Sequence, residues 1–172
     1  MRFAGEFHGT DGPLRVSDTR FRHPLSLAFL KGAQEAGLAY NDDFNGARQE
    51  GAGYFQLNTW KGWRCSTAKA YLAPARRRGN LRVETEAQAS GLVIENRRAV
   101  GVKYRQHGID KVARCHREVL LSAGSIQSPQ LLQLSGIGPA ALLGKHGIPV
   151  VRDLPGVGEN LQDHLQIRLI FE

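Results

Sequence analysis

The sequence predicts an α+β fold: a small antiparallel β-meander, a few helices and one strand of the kind found in α/β domains. The meander is indicated by three successive strand patterns over Asn80–Glu86, Ser90–Gln106 and Gly108–Gly124, with turns at residues 95–98 and 107–108. The run Glu118–Leu121 ends in consecutive apolar residues, which is typical of a strand buried on both faces of a parallel sheet. The chain therefore combines a sheet of its own with one strand of a larger sheet.

The first helix is predicted for HPLSLAFLKGAQEAG, His23–Gly37. Pro24 stands in the first turn, where a missing N–H is tolerated, and Gly37 ends the helix. The next segment NDDFNG, Asn41–Gly46, predicts a turn-rich loop, because Asn and Asp side chains close local backbone hydrogen bonds. Its oxygen spacing differs from that of an EF-hand, so no calcium site is predicted.

An aromatic strand or hairpin is predicted next, with its turn at residues 61–62. Trp60 and Trp63 flank that turn, and they either pack within the hairpin or stack on the ring of a bound molecule. The segment Cys65–Ala75 then predicts a short helix that ends at Pro74.

The junction Leu121–Ser128 connects the buried run to a helix predicted over Ile126–Leu134. Its turn consists of the small residues Ala123, Gly124 and Ser125. Such a junction lets a cofactor lie against the backbone, with the N–H donors of the helix N-terminus directed at its charge. Alternatively, the small residues only allow the strand and the helix to pack closely.

The C-terminal part predicts a short helix over Ala140–His146 and a strand over Ile148–Val151. The glycine-rich segment DLPGVGENLQDH, Asp153–His164, follows them. Near its end the acid and base Asp163 and His164 are neighbours, and they either stabilise the loop or lie beside a cavity.

The composition of the chain argues against several classes of protein function. The chain has 172 residues with 41% hydrophobic content, enough for a core, and its net charge is +7. Its dense basic run, residues 76–78, is short, so nucleic-acid binding is not expected. Cys65 and Cys115 form no CxxC pair and the histidines are scattered, so neither a disulfide framework nor a metal site is predicted. No apolar run approaches the ~20 residues of a membrane span, and no signal-peptide pattern is present.

Three glycine patterns resemble a dinucleotide fingerprint by letter only. GIGPAA at Gly136 follows a helix and contains Pro139, which removes a backbone donor. GVGENL at Gly156 lacks the third small residue, and GAGYFQ at Gly51 leads into a strand. None has the strand-to-helix context that cradles a pyrophosphate. P-loop and GxSxG patterns are also missing from the sequence.

The segment GSIQSPQLLQLSGIG, Gly124–Gly138, resembles the second signature of the glucose–methanol–choline (GMC) oxidoreductases. Further segments are similar to the choline dehydrogenase and alcohol dehydrogenase branch of that family, in the same order. They are GPLRVSD (12–18), NDDFNG (41–46), RCSTAKAYLAPA (64–75), NLRVET (80–85), AVGV (99–102) and GIPVVRDLPGVGENLQDH (147–164). The resemblance covers essentially the whole chain.

The resemblance implies an FAD enzyme that oxidises an alcohol by hydride transfer to the flavin. In that family an Ala-Gly pair at the strand-to-helix turn lies against the dinucleotide part of FAD, which implies cofactor contacts at Ala123 and Gly124, with Ser125 and Ser128 beside them. The residue after the NLRVET strand whose backbone meets the adenine corresponds to Ala89. A backbone contact tolerates alanine where relatives often have valine.

The chain also departs from the family pattern. The N-terminal GxGxxG with its acidic ribose partner has no counterpart, nor has the first family signature, and the family's catalytic histidine lies beyond the matching region. We therefore expect the middle of such an enzyme, without a catalytic residue or a metal site. Both ends support this expectation, since the chain begins in loop-forming residues and ends within a strand pattern.

The resemblance divides the chain into three parts. We expect residues 1–74 to belong to the substrate-domain region and a linker, and residues 75–138 to the FAD-binding domain with the β-meander. Residues 139–172 would begin the return to the substrate domain. The run before Ala123 would be the returning strand of the doubly wound FAD-binding domain.

We therefore expect a middle fragment of an FAD-dependent enzyme that oxidises a primary alcohol, either choline or an aliphatic alcohol, and that is inactive alone. The alternative is a stand-alone, non-enzymatic ligand-binding or interaction module derived from the same fold. The expected partners are a small-molecule alcohol and, through exposed sheet edges, other copies of the chain. The expected location is cytoplasmic, with membrane-peripheral attachment of the parent enzyme left open.

Overall fold

The computed structural model describes residues 4–168 and residue 170. Contacts divide the chain into two compact units, Met1–Val83 and Glu84–Glu172. The first unit contains α1 (Pro24–Glu35), β1 (Thr59–Trp60), β2 (Trp63–Arg64), a π-helical turn (Ala68–Leu72) and α2 (Ala73–Ala75). The second contains β3 (Ala87–Glu95), β4 (Arg98–Gln106), β5 (Ile109–Arg114), α3 (Gly124–Leu134), β6 (Ile137–Gly138), α4 (Ala140–Lys145) and β7 (Arg152–Asp153). This mixture of helices and small sheets confirms the α+β prediction.

Helix α1 forms where the sequence predicts it. The Leu25 amide donates to Nδ1 of His23 at 3.2 Å, which caps the first turn. At the other end the Leu38 amide donates to the Ala33 carbonyl at 3.0 Å, and Gly37 adopts a φ of +91°. No residue of α1 is buried. The helix therefore depends on its caps and local bonds more than on packing within the unit.

The predicted turn-rich loop after α1 is confirmed. The Asn45 amide donates to Oδ1 of Asp43 at 3.1 Å, and the Asp43 amide donates to Oδ1 of Asn41 at 2.8 Å. These are Asx turns. The loop closes on the segment around Ala52, whose carbonyl accepts from the Asn41 amide at 2.9 Å. Nε2 of His8 lies 2.7 Å from Oδ2 of Asp43 and ties the N-terminal segment to the same loop.

The hairpin β1–β2 is confirmed, with Lys61 and Gly62 at positive φ in its turn. The short helix predicted over Cys65–Ala75 is confirmed. The π-helical turn (Ala68–Leu72) continues directly into α2 (Ala73–Ala75), and the helical stretch ends one residue after Pro74. Cys65, directly after β2, is buried, and its Sγ accepts from the Arg15 amide at 3.4 Å.

The antiparallel meander is confirmed, with the strand order β3-β4-β5. Each connection is a two-residue turn at positive φ, Asn96-Arg97 and His107-Gly108. The strand predicted over Asn80–Glu86 is wrong, since β3 begins at Ala87. Glu86 has a φ of +54°, which interrupts an extended chain at that residue.

Helix α3 packs on the outer side of β3 through Ser135, the residue after its last turn. The Leu92 amide donates to Oγ of Ser135 at 2.8 Å, and that Oγ donates to the Leu131 carbonyl at 2.6 Å. Leu131 is buried at this contact. The hydroxyl therefore satisfies a strand amide that points away from β4.

The helix predicted over Ala140–His146 is confirmed by α4, and its Leu143 is the most buried large side chain of the described residues, at 1% exposure. The strand predicted over Ile148–Val151 is displaced. Strand β7 begins at Arg152, because the Val151 and Arg152 amides both donate to the Gly136 carbonyl and start a parallel pairing with β6. The partner strand thus decides where β7 begins.

The buried strand predicted at Glu118–Leu121 is wrong in this structure. The segment is not assigned as a strand, and Leu120 is 80% exposed. No strand among the described residues pairs with it. An apolar run becomes a buried strand only when neighbouring strands lie beside it and other elements cover its faces.

Candidate functional site

The residues Ala123, Gly124, Ser125 and Ser128 all lie at the N-terminus of α3. The helix begins at Gly124, earlier than the predicted Ile126, so these residues form its first turns. Gly124 has a φ of +88°, which favours glycine, and a side chain at this position would point into open space. The backbone of Gly124 is therefore accessible from outside the helix.

Oγ of Ser128 turns back toward the start of the helix and accepts the Ala123 amide at 3.0 Å. This contact satisfies one of the N–H groups that a helix leaves unpaired at its N-terminus. In the described part of the chain no acceptor engages the amides of Ser125 and Ile126. These amides lie at the positive end of the helix dipole and can donate to an anionic group.

A cleft of about 720 Å³ lies along α3. One side consists of residues from Ser125 to Gln133, and the other of the loop residues 156–162. Nε2 of Gln133 donates to the Val157 carbonyl at 3.0 Å, and Gly158, at a φ of +92°, lies against the same amide group. Gln133 therefore holds the glycine-rich loop beside the helix.

Sequence reasoning missed Gln133 and residues 156–159 of this cleft. The signal that could have found the loop was the glycine-rich segment after Leu154. No local signal marked Gln133, because its partner Val157 is 24 residues away.

Ala89 lies on a different element. It is half-buried on β3 next to a bulge, opposite Tyr104, and it is not among the residues that line the cleft. The structure thus brings together four of the five predicted cofactor residues. The backbone contact predicted for Ala89 stays a prediction.

The neighbouring Asp163 and His164 are joined by a local hydrogen bond. Oδ1 of Asp163 accepts the backbone amide of His164 at 2.8 Å, and the side chain of His164 is exposed. From the sequence, the pair is expected either to stabilise the loop or to lie beside a cavity, and this contact favours loop stabilisation. Among the described residues no cluster of His, Cys, Asp and Glu could hold a metal ion.

The glycine patterns rejected as fingerprints have packing roles. Gly136 has a φ of +81°, and a side chain there would collide with the carbonyl of Pro149 and approach Cγ2 of Val151 to 2.9 Å. A glycine at this position allows the chain before β7 to approach β6 closely. The absence of a side chain therefore serves contact between two backbone segments.

Trp60 and Trp63 remain mostly exposed, at 54% and 73%. The guanidinium of Arg15 lies 5.4 Å from the ring centre of Trp60, and Nζ of Lys69 lies 5.5 Å from that of Trp63. These are cation–π contacts. The rings therefore pack against cations of their own unit.

A bidentate ion pair of the second unit lies on the meander. The Arg105 guanidinium donates to both carboxylate oxygens of Asp110, at 2.7 and 2.9 Å. These hydrogen bonds lower the pKa of the Asp110 carboxyl and raise the pKa of Arg105. The pair joins opposite residues of the β4–β5 hairpin and does not line the cleft along α3.

Known proteins similar to this chain point to one family. The profile of the GMC oxidoreductases matches residues 3–166. The human protein named mitochondrial choline dehydrogenase is 52% identical over 95% of this chain, and the Pseudomonas putida protein named alcohol dehydrogenase (acceptor) is 48% identical over 95%. These matches span 28% and 30% of the two relatives.

A solved structure shares the fold. The FAD-dependent oxidoreductase from Chaetomium thermophilum superimposes with a TM-score of 0.88 at 30% identity, over 94% of this chain and 28% of that one. The chain thus corresponds to less than a third of the length of the proteins it matches. No helix of the described residues is long and apolar enough to cross a bilayer.

Proposed function

Because this chain belongs to the GMC oxidoreductase family, we propose that it is the middle part of a flavoenzyme that oxidises a primary alcohol. The relatives named choline dehydrogenase and alcohol dehydrogenase, at about 50% identity, support this class of substrate. We propose that the chain supplies part of the FAD site and that the base which takes the proton of the alcohol lies outside it.

The N-terminus of α3 is the observation that carries the proposal. Two unengaged amides, an open Gly124 and an adjacent cleft together suit the phosphate-bearing part of a dinucleotide. The residues present therefore fit FAD. When bound, FAD supplies the acceptor for the hydride that leaves the alcohol carbon.

The roles of this chain's residues follow from that fit. The amides of Ser125 and Ile126 would donate to the anionic part of the cofactor, and the exposed backbone at Gly124 would allow a close approach. Ser128 would hold the Ala123 amide in place, since its Oγ already accepts from it. The backbone of Ala89 would contact the adenine as a separate element.

Proton transfer from an alcohol needs a base within hydrogen-bond reach of the hydroxyl. We propose that this base lies outside the chain, so we assign no catalytic residue to it. We therefore expect the purified chain to carry no stoichiometric flavin absorbance and to show no dye-linked alcohol oxidation. Tight, stoichiometric FAD in the isolated chain would instead favour a self-sufficient binding module.

A chimera tests the function directly. Residues 3–166 would replace the matching segment of the Pseudomonas putida alcohol dehydrogenase (acceptor), and flavin content and oxidation of choline and of short aliphatic alcohols would be measured. We expect the chimera to retain FAD and to oxidise at least one of these alcohols. A folded chimera without flavin would contradict the proposal.

Ser125→Glu in that chimera separates binding from folding. A carboxylate in the first turn interacts favourably with the helix dipole, so α3 should remain folded. The same charge should repel the anionic part of FAD and weaken its binding at least roughly tenfold. Ser125→Gln, of equal size and neutral, is the matched control and should retain the cofactor. Equal FAD content in the two variants would place the cofactor elsewhere.

A further inference from the structure

Strand β5 forms the outer edge of the β3-β4-β5 sheet. The other edge strand, β3, contacts α3 through Leu92 and Ser135, whereas all six residues of β5 are exposed. Ile109 and Val112 are 60% and 53% exposed. An exposed edge strand offers unpaired N–H and C=O groups to another strand.

The hairpin turn decides which backbone groups of β5 point outward. In a two-residue turn the flanking residues, here Gln106 and Ile109, form a hydrogen-bonded pair, and hydrogen-bonded and non-hydrogen-bonded pairs then alternate along the ladder. The Cys115 amide donates to the Val100 carbonyl, in agreement with this alternation. The backbone groups of Asp110, Val112 and Arg114 therefore face away from β4.

The same three residues share one face of the strand, and their charges are ordered. Asp110 lies at the start and Arg114 at the end, with the apolar Val112 between them. Asp110 is paired with Arg105, and Nη1 of Arg114 lies 2.9 Å from Oε1 of Glu95. All four charged side chains are at least half exposed, so further charges can approach them from the edge.

We propose that β5 is a self-association edge that pairs antiparallel with β5 of a second copy, about a two-fold axis at Val112. In this register the outward amide and carbonyl of Val112 pair with those of its counterpart, and the two Val112 side chains meet on one face. Asp110 of each copy then lies opposite Arg114 of the other, so the interface contains two such pairs. Each pair extends a row of alternating charge, which consists of Arg105, Asp110, and Arg114 and Glu95 of the second copy.

The symmetric registers about the other four residues between Asp110 and Arg114 are less favourable. An axis at Asp110, Lys111 or Arg114 brings like charges directly opposite each other, which destabilises cross-strand pairs. An axis at Ala113 places Val112 opposite Arg114, and Asp110 then has no partner within β5, which ends at Arg114. Charge complementarity therefore selects the register about Val112.

Sedimentation velocity of the full chain tests the proposal over a concentration series up to roughly 200 µM, where weak, small interfaces are populated. We expect a concentration-dependent dimer in low salt. Asp110→Arg alone and Arg114→Asp alone should each weaken the dimer by about tenfold, because each creates two like-charge pairs. An equimolar mixture of these two variants should restore the dimer. In the heterodimer both cross-strand pairs again join an arginine of one chain to an aspartate of the other.

Val112→Pro provides a second test. It removes an outward N–H that β4 does not use, so the hairpin should remain intact while the dimer is lost. Val112→Thr is the matched control and should dimerise. Circular dichroism checks that every variant is folded. A monomeric wild-type chain, single charge variants that associate like the wild type, or a mixture that stays monomeric would each overturn the proposal.

Discussion

Oγ of Ser128 accepts a hydrogen bond from the backbone amide of Ala123 at 3.0 Å, so a side chain in the second turn of α3 holds the residue that precedes the helix. Ser128→Ala removes this acceptor and leaves a half-buried amide unpaired. We expect the Ala123 amide to exchange with solvent about fivefold faster, in keeping with a loss of about 1 kcal/mol for one hydrogen bond. Hydrogen exchange followed by NMR measures this. Ser122→Ala, at an exposed neighbour, should leave the rate unchanged, and equal effects of both substitutions would contradict the assignment.

Gln133 holds the loop of the candidate cleft, because its Nε2 donates to the Val157 carbonyl. Gln133→Glu keeps the size but replaces the donor by a carboxylate, which repels the carbonyl oxygen. We expect the amides of Val157 and Glu159, which close turns in this loop, to exchange at least roughly fivefold faster. The control Gln130→Glu changes an exposed residue one turn earlier and should have little effect on these amides.

Gly53 lies against the Asn41 carbonyl, so closely that an added Cβ would collide with that backbone oxygen. Gly53→Ala should therefore destabilise the first unit by about 3 kcal/mol, as expected for overpacking against backbone. Gly32→Ala is the matched control: the position lies inside α1 with open space around it, and alanine should stabilise the helix by up to about 1 kcal/mol. Urea unfolding followed by tryptophan fluorescence reports on this unit, because both tryptophans of the chain lie in it. Equal unfolding midpoints would contradict the collision.

Asp110 should titrate below its ordinary pKa of 3.8, because the hydrogen bonds from Arg105 stabilise the carboxylate. Because the pKa of Asp110 is lower in the folded state, its carboxylate stabilises the fold at pH values above the unfolded-state pKa. This contribution is lost as the pH falls through the folded-state pKa. The loss is therefore confined to pH values below about 4. NMR of the side-chain carboxyl carbon measures the titration. Arg105→Gln should return it to the ordinary value, and an unchanged midpoint in that variant would exclude Arg105 as the cause.

The elements that the sequence predicted correctly depend on local chemistry. Helix α1 has its proline and glycine at the two ends, the loop over residues 41–46 has its Asx turns, and the meander has two turns at positive φ. Each of these signals acts within a few residues, so the local sequence pattern is enough to specify the element.

The incorrect predictions concern elements that depend on distant partners. The apolar run at Glu118–Leu121 indicates a buried strand, but burial requires neighbours that the described residues do not provide. Strand β7 begins at Arg152 and not at Ile148, because Gly136 accepts its first bonds. A one-dimensional pattern cannot specify such pairings.

The sequence by itself determined the family and the α+β class, and it predicts cofactor contacts at the start of α3, because a signature of fixed spacing and local turn chemistry carries this information. Only the tertiary structure decided that Gln133 holds the loop of the cleft, that Ser135 joins α3 to β3, and that β5 is an exposed edge with complementary charges. These contacts join residues far apart in sequence or depend on which strand has no neighbour. They exist only once the chain has folded and its strands have paired.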